Sequence, residues 1–166
     1  MGSSLNKGHR LAQSLLPYRA RRDVVILSIA PQSFAIAEGV AEVLAVPFDI
    51  FLVHEIGVPD RENVIAGAVA RGAYVPYGKA LTSAGISLSA FVDAANIEEE
   101  RIATLEMHYR GSRAALGLTG TTVILVDDGA SSERELLTAM TAIRRHGING
   151  IIVVAPRESI PQPERG

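Results

Sequence analysis

Four short apolar runs, each of strand length and rich in branched residues, constrain the fold more than any other feature of this chain. They are Val24–Ile29, Phe48–Val53, Thr121–Val126 and Gly150–Ala155. In Ser33–Leu44 apolar residues instead recur at helical spacing, until Pro47 breaks the pattern. Strands that are apolar along their whole length and alternate with helices are typical of a parallel sheet buried on both faces. The sequence therefore predicts an α/β domain with a mostly parallel sheet flanked by helices.

The segment between the second and third runs predicts smaller elements, separated by glycine, proline and changes of periodicity. The expected elements are a loop at His54–Pro59, a hairpin of Val64–Val69 with Tyr74–Val75, and helices at Ser87–Ala95 and Asn96–Tyr109. Asn96 and Glu99 have the spacing of a capping box, which favours a helix start at that point. After the third run, a further helix is expected around Leu136–Ile143.

The length of 166 residues fits one domain with a sizeable core. We expect residues 1–22 to be an N-terminal extension that is flexible and contains a short helix. Residues 23–157 then form the domain, and residues 158–166 form a loose C-terminal tail.

Composition excludes several classes of function. The net charge of −2, from 16 basic and 18 acidic residues, provides no basic surface, so we expect neither nucleic acid nor a membrane as a partner. The absence of cysteine excludes disulfides, thiolate catalysis and cysteine-ligated metals. The apolar runs are far shorter than the roughly 18 residues of a membrane span. No long apolar segment follows the basic residues of the N-terminus, so a cytoplasmic location is the expectation.

The third run ends in two adjacent carboxylates, Asp127 and Asp128, followed by Gly129. In parallel sheets ligands bind beyond the carboxyl ends of strands, so this is the candidate ligand site. The two acids could accept hydrogen bonds from a sugar diol or hold a hydrated magnesium ion. Alternatively, the strand has a solvated end and Asp128-Gly129 forms a turn.

The small residues after the acidic pair allow two interpretations. Backbone amides of Gly129, Ala130, Ser131 and Ser132 at a helix start could bind a phosphate. Alternatively, Ser132 and Glu135 form a capping box, in which the helix satisfies its own amides. Glu133 and Glu135 would then stabilise the helix and repel a phosphate.

Other charged residues carry weaker predictions. His54 and Glu55 could act as an acid and base pair, but adjacent strand residues point to opposite faces, so a polar loop start is the alternative. Arg101, Arg110 and their basic neighbours could bind a phosphate, or be solvated helix residues with Arg101 paired to Glu98. The four histidines are dispersed, so no structural metal is expected.

The segment Val123–Gly129 resembles the signature of the type I phosphoribosyltransferase family: an apolar strand, two acids and a glycine before a small-residue loop and a helix. The likeness extends from about Asp23 to Pro156. The resemblance implies a parallel sheet with a small hood, and transfer of ribose-5-phosphate from phosphoribosyl pyrophosphate, with magnesium, to a nitrogenous base. It also implies that Asp127 and Asp128 contact the ribose hydroxyls and, through the ligand, the magnesium. The 5′-phosphate would lie against residues 129–132, and members of the family are often dimers.

The chain departs from the family pattern at three places. Ser132-Glu133-Arg134-Glu135 stands where the family has threonine-glycine-x-threonine, Pro31-Gln32-Ser33-Phe34 where it has a pyrophosphate loop, and His54-Glu55 where it has a basic pair. Two hypotheses follow. The protein is a transferase in which His54 and Arg134 serve as anion contacts, or a non-catalytic relative that binds a phosphosugar or nucleotide as a regulatory or assembly module.

Overall fold

The computed structural model describes residues 2–58 and 60–156. In chain order the elements are α1 (Gly2–Ala12), a 3-10 helix (Gln13–Tyr18), β1 (Val24–Ser28), a 3-10 turn (Pro31–Ser33), α2 (Phe34–Leu44), β2 (Phe48–Ile50), β3 (Val53–Val58), β4 (Arg61–Ala70), β5 (Ala73–Pro76), α3 (Gly78–Ala84), α4 (Leu88–Arg110), β6 (Thr122–Val126), α5 (Glu133–Arg144) and β7 (Gly150–Val154). The predicted tail over residues 158–166 lies outside the described residues.

These elements divide into two compact units. Unit 1 consists of Met1–Ile50, Ala115–Ser131 and Gly147–Gly166, and unit 2 of Phe51–Ala114 and Ser132–His146. Unit 1 therefore contains β1, β2, β6 and β7 with α1 and α2. Unit 2 contains β3, β4 and β5 with α3, α4 and α5.

Unit 1 is built on a four-stranded parallel sheet in the order β2-β1-β6-β7. In β1, every residue is buried, as expected for a central strand covered on both faces. Its register aligns Val24 with Thr122 of β6 and Ile26 with Phe48 of β2. The fold class predicted from the apolar runs is confirmed.

The predicted N-terminal extension contributes α1 and the 3-10 helix, and both place residues in the core of unit 1. Ala12 is fully buried and Leu15 is 6% exposed. Helix α1 approaches α2 at two glycines, Gly8 and Gly39. A Cβ atom on Gly8 would collide with the backbone of α2, and its distance to the Cα atom of Gly39 would be only 2.9 Å. The two helices therefore pack backbone against backbone at this point.

Unit 2 is built on a three-stranded antiparallel sheet in the order β3-β4-β5. The predicted hairpin is confirmed, because Ala70 pairs with Ala73 across a turn in which Gly72 has a φ of 84°. Helix α4 packs one side against this unit through Phe91, Ala95, Ile102 and Glu106, all of which are buried.

Two local predictions in unit 2 were wrong. The expected loop at His54–Pro59 is strand β3 as far as Val58, since antiparallel pairing with β4 tolerates Gly57 through a shift in register. The two expected helices are one helix of 23 residues, capped by Ser87, whose Oγ atom accepts a 3.1 Å hydrogen bond from the Ala90 amide. Asn96 lies inside this helix, where packing overrides its modest propensity cost of about 0.7 kcal/mol.

Among the described residues, no single helix has the length and apolar character needed to cross a membrane. The helices α3 and α4 meet that test only as a pair, with a bend of 115° between them.

Candidate functional site

The loop Asp127–Ser131, which we call the carboxylate loop, follows β6 in unit 1. Its start is fixed to the sheet because the Asp127 amide donates a 2.9 Å hydrogen bond to the carbonyl oxygen of Val154. The chain then turns at Gly129, whose φ of 93° favours glycine. The carboxylate loop is thus placed at the carboxyl end of a buried strand, where the sequence predicts a ligand site.

The two carboxylates of the loop have different surroundings. Asp127 is 3% exposed, and its oxygens accept hydrogen bonds from the Gly129 amide at 2.9 Å and the Ser131 hydroxyl at 2.6 Å. Asp128 is half-buried, and its Oδ1 atom accepts a 3.0 Å bond from the Ala130 amide. Within the described part of the chain, no hydrogen bond reaches Oδ2 of Asp128. Asp127 therefore shapes the loop, whereas Oδ2 of Asp128 accepts no hydrogen bond from the described residues.

These hydrogen bonds determine whether the backbone amides of the carboxylate loop are available to a phosphate. The amides of Gly129 and Ala130 point at the aspartates of their own loop, in the manner of an Asx turn. An amide that already donates to a carboxylate is not available to a phosphate without rearrangement. In this conformation the carboxylate loop offers oxygen acceptors and not a cradle of free N–H groups.

The start of α5, in unit 2, is closed by carboxylates. The predicted capping box is confirmed: the Glu135 amide donates to Ser132 Oγ at 3.1 Å, and the Ser132 amide donates to Glu135 Oε1 at 3.4 Å. The Ser132 hydroxyl also donates a 3.0 Å bond to Glu55 Oε1 on β3. Two carboxylates, from Glu55 and Glu135, thus converge on the N-cap, where an anion would otherwise be stabilised.

Arg134, a predicted anion contact, stacks on an aromatic ring. Its guanidinium carbon lies 4.5 Å from the centroid of the Tyr77 ring, a distance typical of a cation–π contact. Burial raises the pKa of the Tyr77 hydroxyl above its usual value, and the charge of Glu55 raises it further, while Arg134 acts in the opposite direction. Arg134 and Glu55 therefore act on the same tyrosine.

His54, the other predicted anion contact, is paired with an acid. Its Nδ1 atom lies 2.7 Å from Glu98 Oε1 on α4. Arg101 donates a 3.1 Å bond to the second oxygen of Glu98, which confirms the predicted pairing of Arg101 with Glu98. His54 contacts α4 whereas Glu55 contacts α5, as the alternation of side chains along a strand requires. The two adjacent residues do not form an acid and base pair.

Comparison with known proteins gives two kinds of similarity. No family model matches the sequence. Two curated proteins of Mycobacterium tuberculosis, named "Putative phosphoribosyl transferase" Rv0571c and MT0597, are 27% identical over 155 residues, which is 90% of this chain and 34% of theirs. The chain thus spans about a third of the length of the curated relatives that it matches.

Solved structures give the second similarity. The structure of TT1426 from Thermus thermophilus superposes with a TM-score of 0.72 and 25% identity, covering 92% of this chain and 73% of that one. A purine phosphoribosyltransferase from Pyrococcus horikoshii has a TM-score of 0.52 and 13% identity, covering 93% of this chain and 72% of that one. The chain has the phosphoribosyltransferase fold. The resemblance predicted from the residues around the acidic pair is confirmed in sequence and in structure.

On the phosphoribosyltransferase fold, the predicted site residues fall into three groups. Asp127, Asp128, Gly129, Ala130 and Ser131 form the carboxylate loop of unit 1. Ser132 and Arg134 lie at the start of α5 in unit 2, with Glu55 and Tyr77 as their contacts. His54 pairs with Glu98 on α4 of unit 2.

The magnesium expected from the family resemblance has a limited set of candidate ligands in this chain. Within residues 2–58 and 60–156, no three or more acidic or histidine side chains are grouped closely enough to hold a metal ion. Asp127 and Asp128 supply two carboxylates, and the oxygens of Asp127 are already engaged with the loop. This donor set fits a magnesium ion that is ligated mainly by a phosphorylated ligand and water.

Sequence reasoning missed a buried charged cluster in unit 2. Glu106 is 1% exposed and accepts a 2.9 Å bond from the Leu52 amide, with Arg71 at 3.3 Å and Arg110 at 3.5 Å. The interpretation of Arg110 as a solvated residue was wrong, because its side chain is 8% exposed. The spacing of Glu106 and Arg110, one helical turn apart, was the available signal. The cluster pairs Arg110 with Glu106 inside unit 2, which leaves Arg110 unsuited to binding a free phosphate.

Proposed function

We propose that the protein binds a phosphoribosyl or nucleotide ligand through the carboxylate loop, and that Asp128 accepts hydrogen bonds from the ribose hydroxyls. The observation that carries this proposal is that the two aspartates have different hydrogen-bond partners. The buried carboxylate of Asp127 holds the turn through Gly129 and Ser131. Asp128, beside it, keeps Oδ2 without a hydrogen bond from the described residues. An ionised carboxylate accepts only, so it suits a ligand group that donates, such as a hydroxyl.

The geometry supports binding more strongly than transfer. A transferase that uses phosphoribosyl pyrophosphate must stabilise negative charge on the 5′-phosphate and on the leaving pyrophosphate. In this chain the start of α5 has Glu133 and Glu135 in its first turn and a hydrogen bond from Ser132 to Glu55. These carboxylates would repel a bound anion. They therefore favour the hypothesis that the protein is a non-catalytic relative, which binds its ligand without transfer and acts as a regulatory or assembly module.

Transfer of ribose-5-phosphate to a nitrogenous base is the second candidate. The names of the two mycobacterial relatives support it, since both are called phosphoribosyl transferases. In that case magnesium would enter with phosphoribosyl pyrophosphate, and Asp127 and Asp128 would serve both the ribose and the metal. The cytoplasm, where such ligands are made and used, is the compartment that we propose in either case.

Isothermal titration calorimetry tests the binding proposal. We expect a 5′-nucleotide, or phosphoribosyl pyrophosphate with magnesium, to bind the wild-type chain. Binding should be lost in Asp128→Asn and retained in Asp93→Asn, which changes an exposed carboxylate on α4. Absence of heat with every ligand at about millimolar concentration, together with an unchanged melting temperature, would overturn the proposal. Equal binding by Asp128→Asn would remove Asp128 from the site.

An assay of pyrophosphate release separates the two candidates. Incubation with phosphoribosyl pyrophosphate, magnesium and a panel of purine and pyrimidine bases should release no pyrophosphate if the protein only binds its ligand. Base-dependent release that is abolished in Asp128→Asn would establish transfer.

A further inference from the structure

The outer edge of strand β3 is open. β3 lies at one side of the unit 2 sheet, and within the described part of the chain no strand pairs with it on the side away from β4. Gly57, near its end, is exposed, and a Cβ atom added there would meet nothing within 4 Å beyond its chain neighbours. An open strand edge presents backbone N–H and C=O groups that can pair with a further strand.

The pairing of β4 with β5 fixes the direction of the backbone groups of β4. Ala70 pairs with Ala73 across a two-residue turn, and the pair that closes such a turn exchanges its backbone hydrogen bonds. The Tyr77 amide likewise donates a 2.8 Å bond to the Ala66 carbonyl oxygen. Backbone groups alternate in direction along a strand. Ala66 and Ala70 therefore bond towards β5, and Val69 bonds towards β3.

The same alternation continues in β3. Val69 is opposite His54, and Ala68 is opposite Glu55. His54 therefore bonds to β4, whereas the backbone N–H and C=O groups of Glu55 point to the open edge. Among residues 2–58 and 60–156, no helix, loop or side chain bonds to these two groups. The register shifts after Ile56, and such a bulge turns the strand, so the free edge is short and centred on Glu55.

A groove of about 300 Å³ lies beside this edge, between β3 and α4. It is lined by Glu55, Ile56, Gly57, Ala94, Ile97, Glu98 and Arg101. Ile56 lies on the same face of β3 as His54, which contacts α4. Together with Ala94 and Ile97, which is 56% exposed, Ile56 makes the walls of the groove apolar. The groove thus offers an extended chain backbone partners on one side and apolar surface on the other.

The charge that is available in the groove is positive. Both oxygens of Glu98 are engaged, because Oε1 lies 2.7 Å from His54 Nδ1 and Oε2 accepts a 3.1 Å bond from Arg101. The carboxylate of Glu55 accepts its bond from Ser132 on α5, at the other face of the strand. Arg101 has a side chain that is 69% exposed and uses one nitrogen for Glu98. Its remaining N–H donors suit a carboxylate.

We propose that the groove between β3 and α4 binds an extended peptide segment of a partner protein, which pairs with the backbone of Glu55 as an added strand. Alternate side chains of an extended peptide point to the same side. An apolar side chain then contacts Ile56 and Ile97, and an acidic side chain two positions along pairs with Arg101. Backbone hydrogen bonds supply affinity, and the groove supplies selectivity. The inference is independent of the ligand proposed for the carboxylate loop, which lies in unit 1.

Hydrogen exchange measured by NMR on the full chain tests the register and the pairing. In the free protein the Glu55 amide should exchange faster than the amides of His54 and Ile56, which β4 protects. The probe is the capped peptide acetyl-Ile-Thr-Glu-Thr-Ile-amide at about millimolar concentration, the range of weak binding. The peptide should slow exchange of the Glu55 amide and leave amides outside the groove unchanged. A Glu55 amide that is protected in the free protein, or that stays fast with the peptide, would overturn the proposal.

Fluorescence anisotropy tests the selectivity of the groove, with fluorescein in place of the acetyl group of the peptide. Arg101→Glu should weaken binding by at least about fivefold, since the reversal removes an attraction and adds a repulsion. It should also bind a peptide with lysine in place of glutamate better than the wild type does. Lys79→Glu is the matched control, because it makes the same change of charge at an exposed position of α3, outside the groove.

A peptide that is N-methylated at every internal residue tests the strand pairing, because it keeps the side chains and loses the N–H groups. It should not bind. Equal binding of the methylated peptide would show that no strand is added to β3. Equal binding by Arg101→Glu and the wild type, or an equal loss in Lys79→Glu, would contradict the role of Arg101 and overturn the proposed site.

Discussion

Glu55 on β3 accepts a 3.0 Å hydrogen bond from the hydroxyl of Ser132, the residue that caps α5. The same hydroxyl accepts a bond from the Glu135 amide at 3.1 Å. Ser132 therefore links α5 to β3 through a contact with a residue 77 positions away in the sequence. The arrangement fixes the beginning of α5 and surrounds it with negative charge.

Removal of the Ser132 hydroxyl should destabilise the protein. Ser132→Ala loses the N-cap of α5 and leaves Glu55 without its donor, and loss of a cap typically costs about 0.5–2 kcal/mol. Urea denaturation should show this decrease in the free energy of unfolding. Ser112→Ala, at an exposed position without a side-chain hydrogen bond in the described chain, is the matched control and should be neutral. An unchanged midpoint for Ser132→Ala would show that the cap contributes nothing.

Neutralising the carboxylates at the α5 start should create affinity for phosphate. Glu55→Gln with Glu135→Gln keeps the hydrogen-bonding shape, because glutamine also completes a capping box, and removes two negative charges. We expect inorganic phosphate to raise the melting temperature of this double variant and to leave that of the wild type unchanged.

The control for the phosphate experiment removes two charges from another place. Asp93→Asn with Glu100→Gln makes the same change in net charge on exposed positions of α4. If this pair also gains stabilisation by phosphate, the effect is one of overall charge and not of the α5 start. Stabilisation of the wild type by phosphate would show that Glu55 and Glu135 do not exclude anions.

Tyr77 should make stability depend on pH in the alkaline range. Its folded-state pKa is raised above the ordinary value of 10.0, first by burial and then by Glu55. The folded state therefore holds this proton more tightly than the unfolded chain does. The contribution to stability is fully present below pH 10.0 and is lost as the pH rises through the folded-state pKa.

Absorbance of tyrosinate measures this titration directly. The difference between the wild type and Tyr77→Phe should titrate above the ordinary pKa, and Tyr77→Phe should lose less stability between neutral and alkaline pH. Arg134→Gln should raise the pKa of Tyr77 further, because Arg134 favours the tyrosinate. A Tyr77 signal that titrates below its ordinary value would contradict the burial of the hydroxyl.

The contact between α1 and α2 should not tolerate a methyl group. In Gly8→Ala the new Cβ atom meets the α2 backbone, which cannot rotate away as a flexible side chain would. Overpacking of this kind typically costs about 1–3 kcal/mol, more than alanine gains in helix propensity. Thermal unfolding should show a lower midpoint. Gly78→Ala, which adds a Cβ atom in open space at the start of α3, should leave the midpoint unchanged or raise it.

The sequence predicted the parts of the structure that depend on local patterns. The buried strands β1, β2, β6 and β7 follow from short apolar runs, and the capping box of α5 follows from Ser132 and Glu135, three residues apart. Adjacent residues of a strand point to opposite faces, so the sequence also predicted that His54 and Glu55 have different contacts. These features depend on periods of two to four residues, which can be read from one chain.

Contacts between distant residues could not be predicted in this way. Nothing near Glu55 indicates that its partner is Ser132, and nothing near Arg134 indicates Tyr77. The capping-box spacing of Asn96 and Glu99 favours a helix start at Asn96, but the packing of Phe91 and Ile102 continues α4 on both sides of it. Tertiary packing determines the contacts of Glu55 and Arg134 and the continuity of α4, and it cannot be predicted from a short segment of sequence.

The pairing of β1 sets an order of events during synthesis. Strand β1 meets β2 soon after both are made, but its other neighbour, β6, begins about a hundred residues later, where Thr122 aligns with Val24. At about 5–20 residues per second, a ribosome needs on the order of 5–20 s to cover that distance. During this interval one edge of an apolar strand has no native neighbour. Newly made chains are therefore most exposed to aggregation and to chaperones before β6 emerges. Mutations that slow the pairing of β1 with β6 should lower the yield of soluble protein more than they lower the stability of the native state.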